Sequence, residues 1–148
     1  MDERVKRLRT PAACARFAKN AEDHGRPDLA REANRRAVEL AAKAHGAKTQ
    51  AERECLEAVY AYERTLLARH GKAVRASYTW RMIRQKGIIP AVERLVTKRE
   101  ETAGFRSLLE MGLQDFAFEA VVLRYPELFS DEAVQRSKER MDNLEQHK

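Results

Sequence analysis

The sequence predicts an all-α protein: a single-domain helical bundle of about seven to eight helices with an N-terminal helical hairpin. Three observations carry this expectation. Twenty-three of the 148 residues are alanine, the strongest helix former, against six glycines and four prolines. Apolar residues recur at spacings of three and four, and no alternating segment of strand length is present. Five of the six glycines, Gly25, Gly46, Gly71, Gly87 and Gly112, each follow a helical stretch, where a left-handed residue closes a helix. Hydrophobic residues make up 43% of the chain and its charges are of mixed sign, which separates it from disordered sequences. A chain of 148 residues has ordinary domain size and buries enough surface to fold without a disulfide or a metal.

Taken in order, the first helix runs from Pro11 to Asp23, with Thr10 as its N-cap and proline at the first helical position. Pro27 opens a second that ends at His45. The third starts after Thr49, which forms a capping box with Glu52, and ends at His70; Arg69 and His70 complement its negative end. A fourth is expected over Ala73–Lys86, a fifth over Pro90–Glu100, a sixth over Thr102–Met111 and a seventh over Gln114–Tyr125, stopped by Pro126. The seventh is apolar on most sides and is expected at the centre of the bundle. Ser130 caps an eighth over Asp131–Leu144. That helix is thin in apolar residues (Val134, Met141, Leu144), so a peripheral place, or one against a partner, is expected. Phe17, Ala18, Gly25, Ala30 and Ala37 have the spacing of a tetratricopeptide helix pair. Cys14 and Asn34 stand where that pattern wants aromatics, and a copy 34 residues later is missing, so no repeat array is assigned.

Several chemistries lack their residues. No window is apolar enough to span a membrane, so no membrane partner is expected. The charged start Met1–Arg7 has no apolar stretch behind it, which speaks against a secretory leader and for a cytoplasmic protein. Cys14 and Cys55 lie on apolar helix faces and read as buried free thiols. Among the four histidines, His24, His45 and His70 adjoin helix-ending glycines and read as caps of terminal carbonyls. Neither Glu-x-x-His, His-Glu-x-x-His nor Cys-x-x-Cys occurs. Gly71-Lys72 lacks the rest of a phosphate-binding loop, and no Gly-x-Ser-x-Gly elbow exists. The pairs Glu54/Glu57 and Asp115/Glu119 read as solvent-facing. No cofactor, no metal and no enzymatic activity are therefore expected.

Charge carries the functional information. The net charge is +6, but it divides unevenly. Residues 1–71, the hairpin plus the long third helix, and the acidic C-terminal helices of 101–148 flank a basic helix–turn–helix-like unit at 72–100. Residues 69–99 hold nine cations and one acid, Glu93, whereas residues 100–148 carry a net −5. The cations are Arg69, Lys72, Arg75, Arg81, Arg84, Lys86, Arg94, Lys98 and Arg99, with Tyr78 and Trp80 among them. Lysine and arginine at this density fit phosphate contacts, and arginines also fork onto base edges. Ile83 and Glu93 occupy positions that a standard recognition unit fills with small and apolar residues, so no such unit is assigned. Trp80, Tyr78 and Met82 read as core residues.

Two functional readings follow. In the first, the protein is a small nucleic-acid-binding module, for DNA before RNA, acting through the nine cations. In the second, it is an interaction adaptor or a regulator, possible as a homodimer in which basic residues meet the acidic segment of a partner copy. Two blander readings compete with both: a solvated basic face, and neutralisation of that face by the chain's own acidic third.

Overall fold

The computed structural model describes residues 1–98 and 103–146, the side chains of 103–105 and 144–146 excepted. Among the described residues it is all-helical. The order is α1 (Glu3–Lys6), α2 (Pro11–Asp23), α3 (Pro27–His45), α4 (Gln50–His70), α5 (Ser77–Lys86), α6 (Ile88–Lys98) and α7 (Ala103–Glu110), then a 3₁₀ turn (Gln114–Phe116), α8 (Phe118–Arg124), a second 3₁₀ turn (Pro126–Leu128) and α9 (Asp131–Gln146). No helix among the described residues is long and apolar enough to cross a membrane.

The anticipated caps form. Thr10 Oγ1 accepts from the Ala13 N–H, Thr49 Oγ1 from Glu52 N–H and Ser130 Oγ from Ala133 N–H, at 3.0–3.1 Å. Each satisfies a donor that its helix leaves unpaired. Gly112 closes α7 at φ +70°, which favours glycine, and a Cβ there would lie 2.8 Å from Cδ of the exposed Arg31, whose side chain would have to shift. The Leu113 N–H bonds Leu108 O at 2.8 Å and completes that stop.

The centre is shared by the Gln114–Tyr125 segment, well buried as expected through Phe116, Ala117, Ala120, Val121 and Val122, and by α4. Helix α4 packs against α3, α6, α7 and α8. Its Leu56 and Val59 are fully buried beside Trp80, and its Cys55 and Ala58 meet Val92, Val96, Val121 and Val122. Small residues hold α2 on α3: Ala18, Ala21, Ala30 and Ala33, with Leu29. Alanines let the two backbones approach closely at little side-chain entropy.

Five expectations change. The short α1 was not foreseen, because one apolar residue sets no period; its Val5 is fully buried. Residues 72–76 are not helical, so the helix expected from Ala73 begins at Ser77. The segment from Gln114 to Tyr125 breaks at Ala117 (φ −59°, ψ 148°). Phe116 and Phe118 would point to opposite sides of a continuous helix. The break sends Phe116 to the cluster of Val38 and Leu113 and Phe118 to that of Val92 and Val121. The acid pairs are not simply solvent-facing: Glu119 is buried, and Glu54 accepts from Arg124 Nε at 2.6 Å and from the Tyr125 hydroxyl. Finally, α9 docks on α8 and α6 through Ala133 and Ser137, both fully buried, so its first half is not free for a partner.

Truncating the buried Leu56 to alanine leaves a cavity between α4 and Trp80. The expected cost is about 2–5 kcal/mol, measured as a lower midpoint in urea unfolding at unchanged slope.

Candidate nucleic-acid interface

The basic segment is held by two carboxylates that, among the described residues, make no ion pair with it. Ala76 stands at the N-cap of α5 with no side chain to offer its open N–H groups. Glu63, from α4, does this work instead. Its Oε2 accepts from the Ala76 N–H at 2.7 Å and from Trp80 Nε1 at 2.9 Å. A carboxylate at a helix N-terminus also meets the positive end of the helix dipole. Trp80 is 3% exposed. His45 stacks on it at 5.3 Å, Tyr60 lies tilted at 5.2 Å, and the Arg75 guanidinium sits 5.3 Å from its ring centre. Trp80 is thus a core anchor, as expected.

Gly87, at φ +97°, turns the chain from α5 directly into α6, and the two helices meet through Met82, Ala91 and Leu95. The second carboxylate is Glu93, the one acid among the cations. It faces α9, accepting from Ser130 N–H and Ser130 Oγ, both at 2.8 Å. It therefore ties α6 to the start of α9.

The cations fall into three groups. Arg69 is exposed at the end of α4 and donates to Ser107 Oγ of α7 at 3.1 Å. Lys72 and Arg75 are exposed in the connection to α5. The third group spans α5 and α6. Arg81 and Arg84 are exposed and, by helical spacing, share with Ser77 the face of α5 opposite Thr79 and Met82; Lys86 is exposed in the last turn. Arg94 is half-buried and Lys98 exposed. Both follow the Ala91–Leu95 edge of α6 that meets α5, whereas Glu93 lies on the edge toward Ser130. Arg99 lies outside the described residues.

Among the described residues, no ion pair reaches any of these cations. The acidic third does not neutralise them there. Asp115 holds Arg35 through two bonds of 2.7 Å, and this guanidinium keeps its carboxyl below the usual range; Glu132 pairs with Arg136 on its own helix. Tyr78 corrects the expectation that it belongs to the core: it is 57% exposed, one turn before Arg81. Its spacing with Met82 suggested burial, but Met82 occupies the α6 contact and leaves Tyr78 at the rim.

The histidine expectation holds once. His24 Nδ1 lies 2.7 Å from Asn20 O, whereas His45 stacks on Trp80 and lies 3.3 Å from the Tyr60 hydroxyl. Cys14 and Cys55 are free and fully buried. Burial pushes the Cys55 thiol up to about 12 and raises that of Cys14, so neither is a ready nucleophile. Sequence reasoning passed over Arg64, which turns inward and donates to the buried Asn34. The available signal was Asn34 itself, a polar residue on the apolar Ala30–Ala33–Ala37 face.

Glu63→Ala leaves two buried N–H groups without acceptors. The expected loss is about 1–3 kcal/mol, with the emission of Trp80, the only tryptophan, moving to the red. Comparison with models of protein families, with curated proteins and with solved structures gives no match, so the reading of this surface rests on its own geometry.

Proposed function

We propose that the protein is a small helical, non-catalytic nucleic-acid-binding module of the cytoplasm that grips phosphates with the cations of residues 69–98, duplex DNA before RNA. One observation carries the reading: these side chains are exposed or half-exposed and none is paired with a carboxylate among the described residues, while Glu63 and Glu93 are turned to other donors. Cations left together without partners repel one another, and a polyanion relieves that repulsion while releasing its own counterions.

The aromatic arrangement supports DNA over RNA. Single-stranded RNA readers stack several bases on exposed rings. Here Trp80 is buried, and the exposed rings of this segment are Tyr78 and the imidazole of His70 at the end of α4, too few for a stacking platform. Tyr78 stands beside Arg81 at the rim, placed to pack against a sugar or a base while the arginines hold the backbone.

If about six phosphates are contacted, the logarithm of the binding constant falls with the logarithm of salt at a slope of roughly −5. The joint variant Arg81→Ala, Arg84→Ala is expected to weaken binding to all sequences and to flatten that slope by about 2. Tyr78→Ala is expected to weaken binding with the slope unchanged. Fluorescence anisotropy with a labelled duplex and with a single strand measures all three. Affinity independent of salt, or unaltered in the double arginine variant, overturns the reading.

A further inference from the structure

Away from the basic segment, α2, α3 and the C-terminal half of α4 enclose a solvent-open cavity of about 430 Å³. Its walls are apolar, formed by Ala15, Ala18, Leu67 and Met111. Its polar groups are unbalanced. Arg16, Lys19 and Arg64 contribute cations, and Glu22 is the one acid in the lining. Arg16, Lys19 and Glu22 are exposed, while Arg64 reaches in from α4.

Arg64 is the unusual member. One Nη donates to Asn34 Oδ1, and Asn34 is itself 4% exposed. The Nε of Arg64 is buried and has no hydrogen-bond partner. Among the described residues, no carboxylate lies within ion-pair distance of the guanidinium. The group that shares its surroundings is the Cys14 thiol, and burial keeps that thiol protonated, so it brings no negative charge. A half-buried guanidinium with a buried Nε and no carboxylate beside it is costly to maintain, and an oxyanion that accepts from its terminal N–H groups lowers that cost.

We propose that this cavity is a binding site for a small organic anion, a carboxylate or phosphate group on a short apolar body. The oxyanion would accept from Arg64, the apolar part would lie against Ala18, Leu67 and Met111, and Arg16 and Lys19 would draw the anion to the mouth. The volume falls within the range of small-ligand pockets. The site is separate from the cations of residues 69–98, and it stands or falls without the nucleic-acid reading.

The test is thermal unfolding of the full chain with sodium hexanoate or with sodium phosphate, against sodium chloride at matched ionic strength. At a hundredfold excess over Kd the midpoint is expected to rise by roughly 5–10 °C. A rise with hexanoate alone assigns a carboxylate ligand, and a rise with phosphate assigns a phosphate. Arg64→Met keeps the apolar stem and is expected to abolish the rise. Phosphate held instead by the exposed segment would persist in that variant and would be lost in the Arg81→Ala, Arg84→Ala protein. Should Arg64→Met fail to fold, the exposed pair Arg16→Gln, Lys19→Gln replaces it, with an expected loss of affinity of about threefold or more. No rise with either anion, a rise that survives Arg64→Met, or unchanged affinity in the rim variant overturns the proposal.

Discussion

The seat of the basic segment depends on one carboxylate. Glu63 lies on α4 and reaches across to the first open N–H of α5 and to the indole of Trp80. Those two bonds turn a stretch with no cap of its own into a helix with a fixed start. They also set the indole between His45 and Tyr60, which anchors α5 to α3 and α4 at once. Residues 72–76 are not helical: the chain leaves α4 at Gly71 and turns back to the point where Glu63 waits. Charge-assisted bonds of this kind are among the stronger polar contacts, and in a half-buried place they are screened little by salt.

The same economy explains why the middle of the chain stays positive. An acid within hydrogen-bond reach of open backbone N–H groups is better placed there than on a solvated lysine, where an exposed pair contributes about 0–1 kcal/mol. Glu93 follows the rule as Glu63 does: it caps the entry to α9 through Ser130 and makes no ion pair with the adjacent Arg94. Like charges on a helix surface cost only a few tenths of a kcal/mol for each neighbouring pair. The core formed by Leu56, Val59, Val92, Val121 and Leu113 offsets that with ease, at about 1.5–3 kcal/mol for each fully buried side chain. An unneutralised basic surface is thus compatible with a stable fold, and its cations remain available.

Most of the helices were legible in the sequence because their ends are written in single residues. Thr10, Pro27, Thr49 and Ser130 mark starts and Gly46, Gly71 and Gly87 mark stops, and each acts locally. What escaped depends on contacts distant in the chain. The start of α5 is decided by Glu63, thirteen residues earlier, and Ala76 gives no sign of it. The break at Ala117, which leaves Phe116 and Phe118 in different clusters, has no mark in the spacing of the apolar residues. The basic segment was legible as composition, since nine cations against one acid is a property of the string. Which of its aromatic rings faces outward was not: Tyr78 and Trp80 are two apart, and only the placement of α6 on Met82 decides that the first is exposed.

Arg64 and Arg81 show how far one residue type is determined by its surroundings. Arg81 is exposed and keeps its hydration, so an anion gains from it mainly by long-range attraction, which added salt removes. Arg64 has already lost much of its water in folding, and burial pulls its guanidinium below the usual basic range. An oxyanion that reaches it finds a donor already partly desolvated, in a cleft where neighbouring charges are screened weakly. Binding at the exposed segment should therefore be broad and steep in salt, and binding at Arg64 narrow and shallow in salt. The two behaviours separate on physical grounds alone, because the first is set by the count of exposed charges and the second by the fit of one ligand against Asn34, Leu67 and a single half-buried fork.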